Sequence, residues 1–180
     1  MDKTMELNQI IDTAKQDFHD GKFKQAIQGF ETALETLRSE GKTLEAAEMA
    51  NNLSVAYLQN KNKTKALEIV EGTDQIFAEN GDVVKQAMAL GNQAAALEAL
   101  KRFDEAEQAY QSSADLLEET GEQELRGYVL QSLSALQLRR GRQIDGLISM
   151  KSGLDGQEKL SLRQRFLRWI LKIPFKFVGK

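Results

Sequence analysis

Apolar residues recur along this chain at spacings of three and four, the period of a helix that buries one face. Met5, Leu7, Ile10, Ile11, Ala14 and Phe18 form the first such stretch. After the break Asp20-Gly21-Lys22, a second runs through Phe23, Ala26, Ile27, Phe30, Ala33, Leu34 and Leu37. The same alternation predicts helices over 43–59, 64–80, 83–100, 103–120, 122–140 and from 143 to about 154. Gly41, Gly81 and Gly121 stand just past the last apolar position of their stretches. Glycine there stops a helix, because it takes the left-handed conformation without a Cβ clash. Asp82 is a predicted N-cap.

The breaks are evenly spaced because the chain repeats. Ala26, Ala66, Ala106 and Gly146 are 40 residues apart, as are Ala14, Ser54, Ala94 and Ser134, and as are Phe30, Val70, Tyr110 and Met150. A lone helix pair cannot bury its apolar face, but a stack of pairs can. The expected fold is therefore all-α, a right-handed solenoid of four antiparallel helix pairs plus a C-terminal amphipathic helix. The repeats are expected over 5–41, 42–81, 82–121 and 122–156, making a domain over 1–156 followed by a tail over 157–180. Small residues such as Ala14 and Ala26 let the two helices of a pair close, and the large residue beyond fills the remaining space. With Gly146 and Gly153, the fourth pair is expected to pack loosely.

A small residue in the first helix is followed twelve residues later by a second small one, then a large apolar one four further on, then a small one three after that. The series reads Ala14, Ala26, Phe30, Ala33; Ser54, Ala66, Val70, Thr73; Ala94, Ala106, Tyr110, Ser113; Ser134, Gly146, Met150, Gly153. This order resembles the tetratricopeptide repeat across residues 5–156. The standard unit is about 34 residues, whereas this one is 40 and lacks the closing proline. Longer units are similar to those of the kinesin light chain and of bacterial peptide-sensing regulators.

The resemblance implies a non-enzymatic scaffold in which the first helix of each pair lines a concave groove that takes a peptide or protein. Positions two before the first small residue would face it: Asp12, Asn52, Asn92 and Ser132. A side-chain amide offers both donors and an acceptor, so Asn52 and Asn92 would bond a peptide backbone without reading its side chains. Lys15, Tyr128 and Arg139 would tune selectivity. The two-carboxylate clamp of chaperone-binding relatives would correspond to Ile11, Lys15, Asn52, Met88 and Asn92. Only Asn52 agrees with it, so a chaperone C-terminus is not the expected ligand.

Composition narrows the chemistry. There is no cysteine, which excludes disulfides, thiolate metal sites and thiol nucleophiles. His19, the single histidine, lies between Asp17 and Asp20 at a helix end and reads as a solvent-facing residue rather than a general base. The glycines fall at repeat boundaries, not in a phosphate-cradling loop. No catalytic residue, metal or cofactor is expected. The opening residues lack the apolar run of a secretory signal. No stretch reaches the ~20 apolar residues of a membrane span, so a cytoplasmic location is expected.

The net charge of −3 conceals a split. Residues 1–156 hold 17 Lys/Arg against 26 Asp/Glu, and residues 157–180 hold seven against one. Wound as a helix, Arg165, Arg168 and Lys172 share one face of the tail, opposite Leu162, Phe166, Trp169, Ile170 and Ile173; Phe175 and Phe177 follow Pro174. Basic residues opposite an aromatic-rich face describe a helix lying in a membrane interface. Residues 160–180 would then place the protein on an anionic membrane surface, at the inner face. The competing reading is a cap on the end of the solenoid, made by Leu160, Leu162, Phe166 and Ile170. A further alternative is a homo-oligomer in which the tail of one copy docks on a neighbour. Nucleic acid is not an expected partner, because the body is acidic.

Overall fold

A computed structural model describes residues 3–157 and 160–171 of the chain. All regular structure among the described residues is helical: α1 Lys3–His19, α2 Phe23–Ser39, α3 Thr43–Gln59, α4 Lys63–Val70, α5 Thr73–Glu79, α6 Val83–Ala99, α7 Phe103–Glu119, α8 Gln123–Arg139, α9 Gln143–Asp155 and α10 Leu162–Leu171. The chain forms two compact units, Met1–Ala109 and Tyr110–Lys180, divided within α7.

One turn recurs seven times between α1 and α9. At the end of α2, the Lys42 N–H donates to the Leu37 carbonyl (3.0 Å) and the Gly41 N–H to the Arg38 carbonyl (3.1 Å). These two bonds satisfy carbonyls that the helix leaves open, and they require the intervening residue to be left-handed. The same pair of bonds recurs at Gly21, Gly81, Gly121 and Gly141, and also at Lys61 and Lys101. The glycines have φ of 70° to 77°; the two lysines occupy the same conformation at 63° and 64°. The structural unit is thus a 17-residue helix and a three-residue turn, and the sequence period of 40 is two of them.

In the first unit α1 packs on α2, α2 on α3, and α3 on α4, α5 and α6. The small positions do what their size demands. Ala14 and Ala26 are buried, and a Cβ on Gly29 would fall 2.7 Å from that of Ala14, so the crossing is closer than any side chain allows. In the second repeat Ser54 Oγ donates to the Ala66 carbonyl (2.8 Å), which ties the pair together at the same point. Phe30 and Val70 fill the space beyond.

The helix predicted over 64–80 is broken. It splits into α4 and α5 at Glu71-Gly72, with Gly72 left-handed at φ 81°. The cause lies on α3. Asn51 is buried and donates to the Ala47 carbonyl (2.9 Å) and to Thr73 Oγ1 (3.0 Å). Thr73 Oγ1 in turn donates to the Val70 carbonyl (2.8 Å), one of those left open where α4 ends. A buried polar group is tolerated when its bonds are made, and the break supplies them.

In the second unit α8 packs on α9 and α9 on α10. The expected loose fourth pair is corrected here. A Cβ on Gly146 would fall 2.7 Å from Leu138 Cγ, and one on Gly153 would fall 3.1 Å from Leu130 Cβ and 3.3 Å from the Gly127 carbonyl. The glycines draw the helices together rather than leaving a gap. Ser134 Oγ donates to the Gly146 carbonyl (2.7 Å), repeating the Ser54 arrangement. Helix α10 opens with a capping box: the Ser161 N–H donates to Gln164 Oε1 (2.9 Å) and the Gln164 N–H to Ser161 Oγ (3.3 Å). No helix among the described residues is long and apolar enough to cross a membrane.

Candidate partner-binding faces

In the first unit Asp12 and Lys15 lie exposed on α1, Asn52 half-buried on α3, and Asn92 half-buried on α6. Helices α3 and α6 are in contact, and two side-chain links join them. Asn92 Nδ2 donates to Asn51 Oδ1 (3.0 Å). Lys85 Nζ donates to Glu48 Oε1 (2.5 Å) and pairs with Asp82 Oδ2 (3.2 Å). The bonds to Glu48 and then Asp82 raise the Lys85 ammonium above its ordinary range. The Asp82 carboxyl is lowered, first by the Lys85 backbone N–H that it caps and then by that ammonium. Met88, on the same helix, is exposed.

Asn51 is the residue that sequence reasoning missed. Its signal was present: with Ala47, Ala50 and Ser54 it lies on the stripe that packs inward, so an amide there must find internal partners.

In the second unit Tyr128, Ser132 and Arg139 all lie on α8. Tyr128 is exposed, and its hydroxyl donates to Glu124 Oε1 (3.3 Å). Ser132 Oγ donates to the Tyr128 carbonyl (3.3 Å), and Arg139 Nε to the Ala135 carbonyl (3.3 Å). Tyr128 borders a hollow of about 470 Å³ with Gln123, Glu124, Gln157 and Gln164.

Helix α10 has two distinct sides. Gln164 and Leu167 turn toward α8 and α9 over a cavity of about 240 Å³, which Leu138, Met150 and Leu154 also line. Leu162, Phe166, Trp169 and Ile170 retain 82%, 63%, 62% and 40% of their exposure. Of the residues expected to cap the solenoid, Leu160 is half-buried, while Leu162, Phe166 and Ile170 keep much of their surface in solvent. Phe166 and Trp169 stack with ring centres 6.0 Å apart. Arg165 is exposed and Arg168 half-buried. Lys172, Ile173, Phe175 and Phe177 lie outside the described residues.

His19 is exposed, its Nδ1 3.9 Å from Asp20 Oδ1. Among the described residues no group of three His, Cys, Asp or Glu is placed to hold a metal.

No family model and no curated protein matches the sequence. Solved structures do. The fold is that of tetratricopeptide-like repeats. The chain is similar to a Podosopora anserina kinesin light chain candidate built of nearly identical TPR-like repeats. A form of that protein with one substituted residue matches with TM-score 0.76 and 16% identity, over 95% of this chain and 84% of the other. A second structure of the same protein matches with TM-score 0.74 and 16% identity over 92% and 82%. BtubC (BKLC) from P. vanneervenii matches with TM-score 0.60 and 15% identity over 93% and 80%. At these identities the TPR-like likeness is one of fold.

Proposed function

We propose that this TPR-like chain is a non-enzymatic protein-interaction scaffold, and that the α1, α3 and α6 faces of its first unit bind an extended peptide segment of a partner protein. The observation that carries this reading is the double link between α3 and α6, Asn51 to Asn92 and Glu48 to Lys85. It fixes two neighbouring first helices of successive pairs, so their polar side chains are presented without further ordering cost. Asn52 and Asn92 keep part of their surface in solvent beside this seam. An amide held there bonds a peptide carbonyl or N–H, while Asp12 and Lys15 on α1 select by charge. Tyr128, Ser132 and Arg139 on α8 offer the second unit a similar mixed surface.

The test is selection of peptides from a random library on the full-length chain, followed by titration of the best binder against variants. Asn52→Ala is expected to weaken binding about fivefold, the loss of one net hydrogen bond, and Lys15→Glu to change which charges are selected. A library that yields no binder, or binders indifferent to Asp12, Lys15 and Asn52, overturns the reading.

A further inference from the structure

We infer that α10 is a membrane-surface helix whose outward face, Leu162, Phe166, Trp169 and Ile170, inserts into the headgroup region of an anionic bilayer. The inference is independent of the peptide surface on the first unit.

Helix α10 already packs on α9, and its inner side, with Gln164 and Leu167, closes over the cavity that α8 and α9 line. Its remaining apolar residues are therefore not surplus from an incomplete cap; they form a second face pointing away from the protein. At 100° per residue, Leu162, Phe166, Trp169 and Ile170 span an arc of about 100°. Arg163 and Arg165, both exposed, stand on either side of that arc, roughly 60° and 100° from Phe166. Residues 160–171 contain no carboxylate.

This is the order of chemistry that a lipid interface presents. Acyl-chain carbons meet Leu, Phe and Ile, the glycerol level meets the indole, and phosphates meet guanidinium groups on both flanks. A protein surface would need an apolar groove with acidic rims on both sides to match the same helix. The acidic body, 17 Lys/Arg against 26 Asp/Glu over residues 1–156, is repelled by an anionic surface, so contact through α10 is the favoured orientation. The sequence beyond the helix continues in kind, with Ile173, Phe175, Phe177 and three lysines.

Trp169 is the chain's one tryptophan, so it reports on this face alone. Full-length protein is mixed with vesicles of phosphatidylcholine alone or with about 30% phosphatidylglycerol, a composition that sets a negative surface potential. The expected results are flotation with the anionic vesicles only, a blue shift of Trp169 emission on binding, and loss of both at high salt. Arg163→Gln with Arg165→Gln is expected to weaken binding about 25-fold, roughly fivefold for each charge. Phe166→Glu with Ile170→Glu is expected to abolish it. All four side chains are exposed, and circular dichroism checks that helicity is retained. Three results overturn the proposal: no flotation, equal flotation on neutral vesicles, or a blue shift that grows with protein concentration without lipid, which marks a second copy as the occupant.

Discussion

Asn92 donates its side-chain amide to Oδ1 of Asn51, 3.0 Å away on the neighbouring helix. Asn51 in turn spends its own amide hydrogens on Ala47 and Thr73. A half-buried residue of α6 is thus oriented by one inside the core, and the same core residue holds the break between α4 and α5. Asn51→Ala removes the amide from which the buried Thr73 Oγ1 accepts and the oxygen to which the half-buried Asn92 donates. Leaving such groups unsatisfied is expected to cost about 2–3 kcal/mol. Asn92→Ala, at the half-exposed end, is expected to cost about 1 kcal/mol or less. Urea denaturation of the full-length chain followed by circular dichroism measures both, and equal losses would show that the network does not converge on Asn51.

The seven equivalent turns make an internal comparison. Five carry glycine at the left-handed position; Lys61 and Lys101 occupy it at φ 63° and 64°. A residue with a Cβ is disfavoured there by about 1–2 kcal/mol, and glycine returns part of that gain through its larger unfolded-state entropy, about 0.5–1 kcal/mol. Lys61→Gly and Lys101→Gly are each expected to stabilise the chain by about 0.5–1 kcal/mol, seen as a rise in Tm. The reverse change at an equivalent turn, Gly41→Lys, is expected to lower it. A fall in Tm for both lysine variants would mean that their side chains hold the turns through other contacts.

Most of the fold was legible because spacing alone sets it. The positions of Ala14, Ala26, Ser54, Ala66, Ser134 and Gly146 mark the helix crossings, and Gly41, Gly81 and Gly121 mark the ends. The glycine rule did not reach the turns at Lys61 and Lys101, where backbone hydrogen bonding imposes a left-handed residue on a side chain that disfavours it. It also passed over Gly72, since a glycine between two apolar runs of one helical period looks like a tolerated interruption. What breaks the helix is Thr73, paired with an asparagine 22 positions earlier, and no local pattern carries that pairing. The tail shows the same limit. Its period identified an amphipathic helix, but which side would face the protein depended on the shape left by α8 and α9, and the structure chose Gln164 and Leu167.

The glycines of α9 test whether close packing or helix propensity rules the fourth pair. In an open helix, replacing glycine gains about 0.5–1 kcal/mol. At Gly153 a Cβ meets Leu130 Cβ at 3.1 Å and the Gly127 carbonyl at 3.3 Å. The carbonyl is backbone and gives way only if α8 moves. Gly153→Val is therefore expected to destabilise, by about 2–3 kcal/mol from overpacking. A neutral or stabilising result would show that α8 and α9 separate at little cost, as the sequence alone suggested.

The hydroxyl of Tyr57 on α3 donates to a carboxylate oxygen of Glu31 on α2, and the ring is buried. Burial first, and then the bond to a negative partner, push the phenol well above its ordinary value of 10.0. Both causes disfavour the phenolate, so the folded chain holds this proton at pH values where the unfolded chain releases it. The linked stability is complete below pH 10 and declines as pH rises beyond it, because the unfolded state then binds fewer protons than the folded one. Tyr57 is expected to ionise above pH 10, its step in the phenolate absorbance coinciding with loss of helix. Tyr57→Phe removes that step and flattens the fall in stability above pH 10. At neutral pH it costs about 1–2 kcal/mol, the worth of a hydrogen bond to a charged group in a partly screened site. The lysines whose ammonium groups are raised by Glu40, Glu48 and Asp20 also weaken the fold at high pH. The informative quantity is therefore the difference between the parent and the phenylalanine variant, in which the lysine contributions cancel; a difference that does not change between pH 9 and pH 11 would remove Tyr57 from the alkaline transition.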